Sequence, residues 1–137
     1  MTERSRLIGL MARREASRIA DARRSLAAAL RQQQATETLL ERLTSLLDAR
    51  RTQAMQPMSV AELREHRRLT EQLAAEAERS TTRLTAQRED VRQAIEDLAR
   101  KDHRKRIYEE AAQVARSAEL AECEHRAEQA QVYPVRR

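Results

Sequence analysis

Apolar residues recur every three or four positions on both sides of a single break in this chain. On the N-terminal side Ile19, Leu26, Gln33, Leu40, Leu47 and Ala54 are spaced by seven. Ala22, Ala29, Thr36, Leu43 and Arg50 sit three beyond members of that series. This is an a/d heptad seam, and it predicts one helix over residues 4–55. Leu30, Leu39 and Leu46 flank the seam and widen it in places. Such a helix would extend about 75 Å, and a helix that long needs a neighbour along its length.

The break is Met55-Gln56-Pro57-Met58-Ser59. Proline cannot continue the first helix, because it lacks an N–H and its ring restricts the preceding residue. Ser59-Val60-Ala61-Glu62 then reads as a capping box, so a turn at 56–59 leads into a helix over 60–130 and a short C-terminal tail. Leu63, Thr70, Ala77, Leu84, Val91 and Leu98 repeat by seven along it. The pattern fades at Arg100-Lys101-Asp102-His103-Arg104-Lys105-Arg106 and resumes at Ile107, Ala111, Val114, Ala118 and Ala121 in another phase. The expected helix continues with a rotating stripe, and from about residue 108 it has outrun its partner.

A short connection between long helices predicts an all-α fold, a long antiparallel two-helix coiled-coil hairpin forming a single domain over 1–137. A turn centred near residue 57 makes facing residue numbers sum to about 114. Leu30 then faces Leu84, Leu40 faces Leu73 and Ala74, and Ile19 faces Ile95. Gln33, Thr36, Arg50, Thr70, Ser80 and Gln87 leave the seam partly polar.

Composition fits this picture. Charged residues make up 36% of the chain and aromatics 1%, too few large side chains for a rounded core. Periodic leucines among strong helix formers separate the chain from disorder. No apolar run approaches the roughly 20 residues that span a bilayer. The apolar stretch after Met1 is too short for a signal-peptide core, so a cytoplasmic protein is expected. Cys123 is the only cysteine, which excludes an internal disulfide.

Charge changes the picture at one place. Residues 1–35 hold eight arginines against three acidic residues, and residues 100–106 hold five basic residues against one acidic. In the expected register these segments lie together and make the open end positive. Arg13, Arg14, Arg104 and Arg106 are the candidate docking residues there for an acidic partner. A solvated arginine-rich surface is the plainer account of the same residues.

Motifs for chemistry are missing. His66, His103 and His125 are far apart in sequence, and Cys123 and His125 point apart on a helix. No phosphate-binding glycine loop or nucleophile motif occurs, so no catalytic residue, metal or cofactor is expected. A basic nucleic-acid binder is a competing class. Here the arginines are spread around the helix and no aromatic platform is present for bases.

The whole plan resembles the FliJ family of flagellar type III export. The resemblance rests on two long helices, a Pro/Ser break, arginine-rich ends, and Leu26-Ala27-Ala28-Ala29-Leu30-Arg31-Gln32-Gln33-Gln34 followed by the leucine-rich run from Leu39 to Leu47. The O-type stalk proteins of virulence secretion systems share the plan. The resemblance implies a non-enzymatic stalk inside a hexameric export ATPase. It also implies contacts with the export-gate membrane protein and export chaperones, at the inner face of the cell membrane. Leu39 and Leu46 are the candidate export-gate face, since Leu40, Leu43 and Leu47 belong to the seam. A generic coiled-coil scaffold or chaperone is the alternative.

Overall fold

Strong helix formers fill the chain wherever proline does not intervene, and the backbone follows them. The computed structural model describes residues 3–132 as two helices, α1 (Glu3–Gln53) and α2 (Val60–Val132), with no strand among the described residues. The expected all-α hairpin is the observed fold. Helix α2 continues without interruption through 100–106. The rest of the expected C-terminal tail, including Tyr133 and Pro134, lies outside the described residues.

Both helix ends at the break have identifiable chemistry. Helix α1 closes with Ala54 N–H donating to Arg50 O at 3.0 Å, then tightens as Met55 and Gln56 donate to Thr52 and Gln53 carbonyls. Arg50 and Arg51 occupy its last turn, where cations suit the helix dipole. The capping box is present. Ser59 N–H donates to Glu62 Oε2 at 3.3 Å, and Glu62 N–H donates to Ser59 Oγ at 3.2 Å. Replacing a serine cap of this kind by alanine costs about 1 kcal/mol.

Contacts divide the chain into two units: residues 24–95, which contain the turn, and residues 1–23 with 96–137. In the turn-containing unit the buried stripe of α1 runs through Thr36 and Leu43, flanked by half-buried Leu40 and Leu47. The stripe of α2 runs through Ser80, Leu84 and Val91, with half-buried Leu73, Ala77 and Gln87 between and beside them. Polar seam residues satisfy themselves where they can. Thr36 Oγ1 donates to Gln32 O at 3.1 Å, and Thr70 Oγ1 to His66 O at 2.8 Å. Ser80 is 0% exposed and its hydroxyl has no partner.

In the terminal unit α1 buries Ser5, Glu15, Ile19 and Ala22, and α2 buries Ala112. Half-buried Lys101, Lys105, Tyr108, Ala115 and Glu119 keep the three-and-four spacing that Leu84, Gln87 and Val91 set. The expected phase change after residue 100 therefore does not occur. Ile107 is 49% exposed and Val114 69% exposed, so that apolar series is a second face and not the seam. The lysines explain the misreading. Their aliphatic stems lie along the seam while the ammonium groups reach out, Lys101 Nζ to Asp97 Oδ2 at 2.9 Å and Lys105 Nζ to Glu109 Oε1 at 3.6 Å.

The register also differs from the expectation. Arg88 Nη2 lies 3.7 Å from Glu37 Oε1 in one unit, and Ser5 Oγ lies 3.3 Å from Glu119 Oε2 in the other. In both, facing residue numbers sum to about 125, not about 114, as two antiparallel helices with one register require. Leu84 therefore shares a groove with Leu40 and Thr44, not with Leu30. Helix α2 also keeps an α1 neighbour well beyond residue 108. At the turn, Gln56, Pro57 and Met58 line a groove with Glu62, Glu65 and His66 of α2, together with Arg50 and Gln53 from the end of α1.

Candidate functional site

A two-helix seam leaves most side chains on the surface, and the candidate sites are therefore surfaces. Leu39 and Leu46 are 36% and 51% exposed, seven residues apart on the same flank of α1. Their neighbours Leu40, Leu43 and Leu47 turn inward, as the heptad phase predicts. Leu46 borders a shallow groove with Glu41, Arg42 and Ser45, so the apolar flank is edged by one charge of each sign. Such a surface can dock an apolar side chain and fix its orientation through the charges beside it.

Arg13, Arg14, Arg104 and Arg106 are all exposed and all belong to the terminal unit. Arg106 Nη2 lies 3.7 Å from Asp102 Oδ2, and the Asp97 carboxyl is held below its ordinary value chiefly by the Lys101 hydrogen bond, with Arg100 and Arg104 adding attraction. The four do not gather at one level. The observed register sets residues 104–106 near Ile19–Ala22 and sets Arg13 and Arg14 near residues 111–112, an offset of about two helical turns.

The register also corrects the expected like-charged end. The segment carrying Arg4, Arg6, Arg13 and Arg14 runs beside the part of α2 that carries Glu109, Glu110, Glu119 and Glu122. Arg4 lines one groove with Glu119 and Glu122. Basic and acidic legs thus compensate each other there. What remains is a local run of cations at 100–106, already partly paired along its own helix.

Sequence reasoning missed Glu15 as a seam residue. Its side chain is buried, one oxygen accepts from Arg18 Nη1 at 3.0 Å, and the other has no partner. The spacing Ser5, Ile8, Ala12, Glu15, Ile19 was the available signal, and it was hidden because two of the five are polar. Among the described residues no group of three or more His, Cys, Asp or Glu side chains could hold a metal, and Cys123 is exposed. No described helix is long and apolar enough to cross a membrane.

Comparison with known protein families, with characterised proteins and with solved structures finds no match for this chain.

Proposed function

We propose that this chain is a non-enzymatic, cytoplasmic stalk of a type III export apparatus, held at the centre of a hexameric export ATPase and acting at the inner face of the membrane. Its partners on this reading are the ATPase ring, the export-gate membrane protein and export chaperones. The observation that carries it is the fold: a two-helix hairpin with a partly polar seam and its distinctive groups all on the surface. Such a chain transmits position between partners and needs no reacting group. The flagellar or virulence setting follows from the resemblance to the FliJ plan and its O-type counterparts.

Two surfaces have separate roles in this reading. The cationic run at 100–106, with Arg104 and Arg106 exposed, presents positive charge to an acidic ring lumen, where complementary charge steers association. Leu39 and Leu46 present an apolar flank to the export gate. The test is ATP hydrolysis by a hexameric flagellar export ATPase with and without this chain. Stimulation by the wild type, lost on reversing Arg104 and Arg106 to glutamate while helicity stays intact, supports the stalk. Absence of stimulation, together with tight sequence-selective DNA or RNA binding that persists at about 200 mM salt, would replace it with a nucleic-acid binder.

A further inference from the structure

The first turns of α1 use arginine differently from the rest of the molecule. Elsewhere exposed arginines pair with a carboxylate one turn away, as Arg67 does with Glu71, Arg79 with Glu76 and Arg126 with Glu122. Residues 4–14 carry four arginines and no carboxylate. Arg4 lines the groove with Glu119 and Glu122, so it serves the balance of charge between the legs. Arg6, Arg13 and Arg14 are exposed, and none of them forms an ion pair with a described residue.

These three surround an apolar patch. Leu7, Leu10 and Met11 are 56%, 51% and 45% exposed. Leu10 has Arg6 and Leu7 one turn before it and Arg13 and Arg14 one turn after, the spacings that make side chains neighbours on a helix surface. The seam residues Ser5, Ile8, Ala12 and Glu15 take up the other side of the same turns, so α2 leaves the patch uncovered. Glu3, one turn before Leu7, is the nearest carboxylate on this face, because Glu15 is buried and bonded to Arg18.

Two properties point to one kind of partner. The patch protrudes: Leu7, Leu10 and Met11 do not line the groove that Arg4 and Ile8 share with α2. It offers apolar knobs and no hole to receive a partner's side chains, which the packed core of a protein interface requires on both sides and a fluid bilayer does not. The cations around it have the donor geometry that suits phosphate headgroups.

We propose that this face of residues 4–14 docks on an anionic lipid bilayer, with Leu7, Leu10 and Met11 entering the headgroup–acyl boundary and Arg6, Arg13 and Arg14 holding phosphates around them. Helix α1 is already held by α2, so docking orders no backbone. Three apolar side chains make the attachment reversible and dependent on salt. The proposal does not rest on the stalk reading: it needs no ATPase, so vesicle binding and ATPase stimulation can fail independently.

Co-sedimentation of the full chain with phosphatidylcholine vesicles, with or without about 30% phosphatidylglycerol, tests it. The chain should bind the anionic vesicles and not the neutral ones. Arg6→Glu with Arg13→Glu and Arg14→Glu should abolish binding. Leu7→Gln with Leu10→Gln and Met11→Gln should weaken it by at least about tenfold, with helicity unchanged because all three side chains are exposed. The chain has no tryptophan, so Leu10→Trp installs a single reporter, and Leu46→Trp, also at a leucine 51% exposed, is its control. Emission from Leu10→Trp should shift to the blue on anionic vesicles and be quenched by brominated acyl chains, while Leu46→Trp stays unchanged. No binding to anionic vesicles, equal binding to neutral ones, indifference to the glutamine triple or equal response of the two reporters would each overturn the proposal. Capture by polyglutamate without capture by vesicles would overturn it as well, in favour of an acidic protein.

Discussion

Ser5 Oγ lies 3.3 Å from Glu119 Oε2, joining residues 114 apart in sequence. That contact and the Arg88–Glu37 pair at 3.7 Å set one register in both units. The consequence is functional as well as topological. An arginine-rich N-terminal leg meets a glutamate-rich part of α2, so the charge available to partners is local and not a property of the whole end.

The register makes a direct distance prediction. Spin or fluorescence labels at residues 40 and 84, in a Cys123→Ser background, should lie close together within one molecule. Labels at 30 and 84 are offset by about 15 Å along the helix axis, which with an interaxial separation of about 9 Å puts them farther apart by about 8 Å. The opposite order in distance measurements at high dilution of labelled chain would restore the symmetric turn.

Burial orders the leucines. Leu43 and Leu84 are each 6% exposed, whereas Leu39 is 36% exposed. Leu43→Ala and Leu84→Ala should each destabilise by about 2–3 kcal/mol, the low end for a core leucine because one neighbouring helix closes the site. Leu39→Ala should cost well under half as much. Urea denaturation monitored by circular dichroism gives the comparison, and equal losses at Leu39 and Leu43 would mean a different seam.

Much of this fold could be read in the sequence, and particular residues show why. Pro57 and the Ser59–Glu62 box act through local backbone chemistry, which depends on few distant contacts. The inward turn of Leu40, Leu43 and Leu47 and the outward turn of Leu39 and Leu46 follow from helical period alone. Register was not legible. It is set between distant residues, as by Ser5 with Glu119 and Glu37 with Arg88, and composition does not express it. The seam at Lys101 and Lys105 was hidden for another reason: a lysine counts as polar by type, yet its stem packs as an apolar chain. The candidate arginines are exposed, but their grouping depends on the register, and the observed register separates Arg13 and Arg14 from Arg104 and Arg106 by about two helical turns.

Acid should loosen the helices through identifiable pairs. Hydrogen bonding and attraction from Arg79 hold the Glu76 carboxyl below its ordinary value, Arg92 does the same for Glu89, and Lys101 for Asp97. A carboxyl depressed in the folded state contributes stability above its unfolded value, 4.5 for glutamate and 3.8 for aspartate here. That contribution is lost as pH falls through the lower folded value. Melting temperature in low salt should therefore drop below about pH 4.5, and the drop should shrink in the Glu76→Gln/Glu89→Gln/Asp97→Asn variant. These pairs are exposed, so added salt should also shrink it. A melting temperature that rises on acidification through this window would show the sign to be wrong.

Ser80 supplies the least intuitive expectation. It is the most completely buried side chain described, and its hydroxyl has no hydrogen-bond partner. A buried hydroxyl left unbonded costs about 1–3 kcal/mol of desolvation, only part of which alanine needs to recover. Alanine is also the better helix former, by a few tenths of a kcal/mol. The exchange removes one oxygen atom and leaves a void smaller than a methyl group. Ser80→Ala should therefore stabilise the protein by about 1 kcal/mol, whereas Leu84→Ala, one turn away on the same stripe, destabilises it. Parallel urea titrations of the two variants check both signs. A clear loss of stability in Ser80→Ala would mean that the hydroxyl makes a hydrogen bond in solution, with a bridging water as the natural partner.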